Sequence, residues 1–170
     1  MNIARLLARA GSSSGELPAV AVGARTVWTY RQLVQRTARI AGGILATGLA
    51  PGDRIALVMR NCADYVPLMF AGWWAGLTVV PVNAKLHPRE LAYIIEHCGA
   101  RLVLVTGDIA DLPGIGARVM TVGSPELESL ATAEPVACAE RLPDDVAWLF
   151  YTSGTTGRPS SSTSMTSIAA

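Results

Sequence analysis

Short apolar runs begin near residues 54, 77, 101, 118 and 146, and the stretches between them carry apolar residues at helical spacing. A strand that is apolar at nearly every position has no polar face to turn toward water, so it must be covered on both sides. Most of the intervals are long enough for a helix to carry the chain back and start the next strand parallel to the last. The alternation predicts an α/β fold: a largely parallel sheet with helices on both faces.

The local signals agree. After a short N-terminal helix, Ala19–Val22 and Thr26–Trp28 flank Gly23-Ala24-Arg25, a hairpin signature. Thr29 is placed to cap a helix over Tyr30–Thr47, with Leu33, Ile40 and Ile44 on one face beside Val34, Ala41 and Leu45. Gly42-Gly43 inside it predicts close packing against a neighbour, and Gly48 ends it. Pro51-Gly52-Asp53 turns the chain into a strand over Arg54–Met59. A helix starting near Asn61 or Asp64 and running to Ala75 leads to a strand over Leu77–Val82. Pro88 opens a helix through Leu91, Ile94, Ile95 and Cys98 that Gly99 closes. A strand over Arg101–Thr106, a short helical piece, a strand over Arg118–Val122 and a last strand over Val146–Thr152 complete the reading.

The last strand runs directly into a loop of glycines and hydroxyls, Thr152-Ser153-Gly154-Thr155-Thr156-Gly157-Arg158. Gly154 and Gly157 let the backbone approach a ligand with no Cβ in the way. Successive backbone N–H groups in such a loop form an anion-binding concavity. The hydroxyls of Thr152, Ser153, Thr155 and Thr156 add donors, and Arg158 adds a permanent charge. This donor set suits a polyphosphate. The spacing is not G-x-x-x-x-G-K-[ST], because Pro159 stands sixth from Gly154 and no lysine follows.

The stretch Tyr151–Pro159, with Asp144-Asp145-Val146-Ala147 ahead of it, closely resembles the phosphate-loop signature of the adenylate-forming (AMP-binding) enzymes, the acyl-CoA synthetases among them. Weaker matches accompany it at Thr29-Tyr30-Arg31-Gln32-Leu33, Gly52-Asp53-Arg54-Ile55-Ala56, Asn61 and Gly76–Asn83. The resemblance implies the N-terminal part of the family's large domain over 1–159, with the loop residues Thr152–Arg158 binding the phosphates of ATP. It implies ATP-dependent activation of a carboxylic acid through an acyl-adenylate, with Mg²⁺ at the phosphates and coenzyme A as co-substrate. Where the family has a lysine after the proline, this chain has Ser160, which takes one compact cation from the loop. Tyr30, Asp53, Pro81 and Asn83 are expected to act in packing and turns rather than on substrate, and no residue is assigned a catalytic or metal-binding role.

Residues 160–170 are rich in Ser and Thr and have no periodic apolar content, so a disordered tail is expected there. Of the 170 residues, 51% are hydrophobic and 16% charged, an apolar balance that fits part of a larger domain with faces to be covered. Self-association through uncovered apolar surface is the corresponding expectation. A net charge of +1 and the lack of a basic stripe argue against a nucleic-acid partner. Cys62, Cys98 and Cys138 lack metal or redox spacing and read as reduced thiols, which points to the cytoplasm. Arg5 and Arg9 interrupt the only N-terminal apolar stretch, so no secretory signal is expected. Tyr65–Ala84 carries no charge, yet Pro67, Gly72, Gly76 and Pro81 punctuate it, which predicts a buried helix and strand rather than a membrane span. His87 is expected as a helix cap or loop residue and His97 at the negative end of a helix dipole.

The expected function is therefore the N-terminal part of an ATP-dependent acid–CoA ligase, for a fatty or an aromatic acid, without ligase activity as 170 isolated residues. The alternatives are a non-catalytic binding or assembly module and a weak nucleotide-binding module.

Overall fold

The computed structural model describes residues 1–109, 112, 114–152 and 160–165, the segment from 152 onward as backbone only. Helix α1 (Arg5–Ser13) precedes the hairpin β1 (Pro18–Val22) and β2 (Arg25–Thr29). There follow α2 (Tyr30–Ala46), β3 (Arg54–Val58), α3 (Tyr65–Trp74), β4 (Thr78–Val82), α4 (Pro88–Cys98), β5 (Ala100–Val105) and β6 (Arg118–Thr121). Helix α5 (Pro125–Leu130) and strands β7 (Val146–Thr152) and β8 (Ser160–Met165) complete the order. The main sheet runs β6-β5-β3-β4-β7-β8. Its strands from β6 to β7 are all parallel, and β8 lies antiparallel on β7.

Alternation along the strands divides the interior into two cores. Ile55, Leu57, Val79, Leu102, Leu104 and Met120 point to one side, where α2, α3 and α5 supply Ile40, Ile44, Leu68, Trp73, Leu127 and Leu130. Ala56, Val58, Val80, Val82, Val103 and Val105 point to the other side, where α4 supplies Leu91, Ile94, Ile95 and Cys98. This is the two-faced coverage that the continuous apolar runs require. A smaller cluster of Leu7, Val20 and Leu33, with Tyr30 half-buried against it, seats the hairpin.

The predicted caps are present. Thr29 Oγ1 accepts from Gln32 N at 3.4 Å while Thr29 N donates to Gln32 Oε1 at 3.0 Å, a capping box that starts α2. His87 does the same for α4: its Nδ1 accepts from Arg89 N at 3.2 Å, and Glu90 Oε2 accepts from His87 N at 3.0 Å. Gly42 and Gly43 sit where α2 meets the segment after β6: a Cβ on Gly43 would lie 2.6 Å from Leu130 Cα. Asp53 accepts from Ala50 N at 2.8 Å, as a turn former should.

Two differences from the sequence reading have simple causes, and the expected splitting of the uncharged stretch is observed. The described residues between β5 and β6 form turns rather than a helical piece; the short helix comes after β6, as α5. Its signal was legible, for Ser124 is an N-cap whose Oγ accepts from Leu127 N at 3.2 Å, with Pro125 at the first helical position. The uncharged stretch from Tyr65 is split at Gly76 into α3 and β4, and no described helix is long and apolar enough to cross a membrane. In the Ser/Thr-rich segment, Ser160–Met165 is placed as β8 against β7, from Thr152↔Ser160 to Val146↔Met165. A ladder rests on backbone N–H and C=O groups, so it does not need the apolar side chains whose lack led to the expectation of disorder. Residues 166–170 lie outside the described residues.

Candidate functional site

Of the residues expected to bind phosphate, Thr152 ends β7, and its backbone pairs with Ser160. Ser153, Gly154, Thr155, Thr156, Gly157 and Arg158 lie outside the described residues. The structure therefore fixes where the chain enters the loop. Strand β7 runs parallel to β4, so it delivers Thr152 to the carboxyl-end edge of the sheet. In open α/β sheets that edge is where ligands bind.

Strand β7 is held along its length by groups from other elements. Thr78 Oγ1 donates to Val146 O at 2.8 Å, and Trp73 Nε1 donates to Ala147 O at 3.0 Å. Phe70, Trp73, Trp148 and Phe150 form a chain of aromatic contacts with centroid separations of 5.2, 4.7 and 5.4 Å. On the opposite face Tyr151 Oη lies 2.6 Å from His97 Nδ1. Burial pushes the Tyr151 hydroxyl up to about 12, helped by repulsion from Cys98 and Tyr93 when they ionise. His97 is in the last turn of α4, as the dipole reading requires, but its tertiary partner was not visible in the sequence.

A cleft of about 450 Å³ lies outside the carboxyl ends of β3 and β4, lined by Arg60, Asn61, Tyr65, Asn83 and Lys85 among others. The two strands feed helices on opposite faces, α3 and α4, so the cleft occupies a point where the winding of the sheet reverses. Arg60 pairs there with Asp108, whose carboxyl is held below its usual range by the Thr106 hydroxyl and by Arg60 itself. Asn83 Oδ1 accepts from Lys85 N at 3.0 Å. The cleft combines cationic groups with side-chain amides, a surface suited to anions. Arg60 and Lys85 were not singled out from the sequence, because neither stands in a motif; only the adjacency of β3 and β4 brings them together.

The cysteines are free, Cys98 buried and Cys62 and Cys138 half-buried. Burial pushes the Cys98 and Cys138 thiols up, away from reactivity. No group of three or more His, Cys, Asp or Glu able to hold a metal ion occurs among the described residues.

Comparison with known proteins agrees with the geometry. The chain is 39% identical over 136 residues to a feruloyl-CoA synthase of Amycolatopsis sp., covering 79% of this chain and 27% of that protein. It is 31% identical over 160 residues to a 3-hydroxybenzoate–CoA ligase of Aromatoleum sp., covering 84% of this chain and 30% of that protein. It thus spans less than a third of the length of these curated relatives. Among solved structures, the N-terminal domain of FACL13 from Mycobacterium tuberculosis superposes with a TM-score of 0.83 at 28% identity, covering 96% of this chain and 44% of that one. A benzoate CoA ligase from Burkholderia xenovorans has the same fold, with a TM-score of 0.86 at 24% identity over 97% of this chain and 34% of that one. The family model described as AMP-binding enzyme matches residues 7–160, nearly the whole chain and up to the end of the hydroxyl-rich loop. With that match and this sheet, the chain belongs to the AMP-binding enzyme family and has the α/β fold of the N-terminal region of adenylate-forming enzymes.

Proposed function

We propose that this chain is the N-terminal part of an ATP-dependent acid–CoA ligase, and that Thr152–Arg158 is its phosphate-binding loop. The observation that carries the reading is the family match through residue 160, together with a parallel strand that delivers Thr152 to the carboxyl-end edge of the sheet. In such an enzyme the carboxylate attacks the α-phosphorus of ATP, the bond to the β-phosphate breaks, and pyrophosphate leaves. The loop's task is to hold the departing phosphates with fixed donors, so that charge develops against groups already in place. The acyl group then passes from AMP to the thiol of coenzyme A. Mg²⁺ is expected to accompany ATP, with the substrate phosphates supplying most of its ligands. Relatives named for aromatic acids favour an aromatic over a fatty carboxylate. The proposed compartment is the cytoplasm.

As 170 isolated residues the chain is proposed to make no acyl-adenylate, since it corresponds to 27–30% of the curated ligases it resembles. Carboxylate-dependent ATP–pyrophosphate exchange across a panel of aromatic and fatty acids should stay at the blank. Exchange with any acid would refute the inactivity, and Mg-ATP binding by calorimetry tests the phosphate loop separately. The second reading, an assembly module, is favoured by strand β7, whose residues Val146–Tyr151 are only half-buried, and by Leu142, 72% exposed beside it. Light scattering behind size exclusion tests it: association is expected, and a monomer of 17.8 kDa at high concentration would count against it.

A further inference from the structure

The last residue before the hydroxyl-rich loop is tied to a side chain far away in sequence. Tyr151 Oη lies 2.6 Å from His97 Nδ1 across 54 positions. His97 is exposed at the helix end and lies between two tyrosines: Tyr93 stacks on it with centroids 5.5 Å apart and planes at 29°, and Tyr151 stands edge-on at 5.7 Å and 85°. A phenol is a better donor than a neutral imidazole nitrogen, so Tyr151 donates, Nδ1 accepts, and the ring proton sits on Nε2. The helix end that carries His97 is itself fixed. Arg54 Nε donates to Cys98 O at 2.9 Å, and Gly99 closes α4 in the left-handed conformation with φ +63°.

The other cross-element side-chain bonds to β7 among the described residues hold its beginning, at Val146 and Ala147. At the end from which the chain leaves the strand, β8 supplies backbone pairing, Tyr151↔Ser161 and Thr152↔Ser160, and among the described residues the side-chain tie to another element is the bond to His97. We propose that His97 is a positioning residue for the phosphate site: through the Tyr151 hydroxyl it fixes the strand end that leads into Thr152, and so sets the point from which the phosphate-binding residues follow. This rests on the reading of Thr152–Arg158 as a phosphate site. A histidine serving only the helix dipole would need no acceptor at Nδ1, and its charge could not be replaced by a neutral amide. Asparagine distinguishes the two, since its Oδ1 can take the place of Nδ1 as acceptor.

The test is a double-mutant cycle with His97→Ala, Tyr151→Phe and their combination, beside His97→Asn as rescue. Amide hydrogen exchange is read at Phe150–Thr152 and, as an internal control, at Ile55–Val58. Each single variant should speed exchange at Phe150–Thr152 by about five-fold, the worth of one hydrogen bond, and leave the control unchanged. The double variant should be no faster than either single one, and His97→Asn should restore the wild-type rate. Mg-ATP affinity by calorimetry should fall by a similar factor in the same variants. The ¹⁵N shifts of His97 should report a proton on Nε2, with Nδ1 moving when Tyr151 is replaced by Phe. Additive effects, a His97→Asn variant no better than His97→Ala, or Mg-ATP binding that no variant alters would overturn the proposal. If wild type binds no Mg-ATP, it is the phosphate-site reading that fails; the exchange cycle still decides whether His97 holds the strand end.

Discussion

Strands β3 and β7 are nearly equal in apolar character and opposite in circumstance. Strand β3 lies inside the sheet with parallel neighbours on both sides, and Ile55, Ala56, Leu57 and Val58 are all fully buried, alternating between the two cores. Strand β7 presents Val146-Ala147-Trp148-Leu149-Phe150, yet every one of these residues is half-buried. What differs is the cover: α3 and α4 lie over β3, whereas β7 is reached mainly by aromatic edges and by single hydrogen bonds from Thr78, Trp73 and His97. Strand β3 is thus a framework strand held by packing on both faces, whereas β7, laddered between β4 and β8, has faces held by a few directed contacts. Packing gives stability, and directed contacts give position.

The largest effect that would break this comparison is at Leu57. Leu57→Ala should cost about 2–5 kcal/mol, because the site is fully enclosed and cannot collapse readily. Denaturant unfolding monitored by tryptophan fluorescence would measure it, and a loss below about 1 kcal/mol would mean that β3 is not the framework. Next is Gly43→Ala. The new methyl would meet Leu130 Cα at 2.6 Å, where backbone rather than a flexible side chain stands in the way. Overpacking of about 1–3 kcal/mol is expected, with α5 loosening first in proteolysis. Leu149→Ala in β7 should cost less than half of what Leu57→Ala costs, about 1 kcal/mol for a side chain only partly withdrawn from water. An equal cost for the two leucines would erase the distinction between the strands.

The last effect appears only at alkaline pH and comes from Tyr151. Its folded pKa is about 12, above the unfolded value of 10.0, so folding favours the neutral phenol. The stability this provides is fully present below pH 10 and is lost as pH rises through about 12. Alkaline titration should show one tyrosine ionising late, and Tyr151→Phe should remove that step. Asp53 works in the other direction. Its carboxylate accepts from Ala50 N and pairs with Arg101, which hold its pKa below the usual aspartate value. That contribution is present above the unfolded pKa and is lost as pH falls below it.

Much of the architecture was legible because it follows from short-range rules. The Thr29–Gln32 box, the Pro88 start and Gly99 stop of α4, and the splitting of the uncharged stretch at Gly76 are all signals within a few residues. Helix α5 is announced by Ser124-Pro125-Glu126, yet strand spacing alone puts the short helix in the gap between β5 and β6, where a parallel crossover calls for one. The proposed phosphate site rests on its motif alone. The hydroxyls and glycines from Thr152 to Arg158 could be named from the chain, whereas nothing near His97 points to Tyr151, and nothing near Lys85 points to Arg60.

By itself the sequence determined the class of fold, the family and the close approach at Gly42-Gly43, since each depends on local periodicity, on a contiguous motif or on a side chain that is absent. Tertiary structure alone decided which apolar strand is enclosed and which is half-open, which helix end supports β7, and where cations gather at the reversal between β3 and β4. Those properties depend on the order β6-β5-β3-β4-β7-β8, in which neighbours in space are not neighbours in sequence. Burial and hydrogen-bond partnership are set by what lies across the sheet, and no residue carries that information in its own side chain.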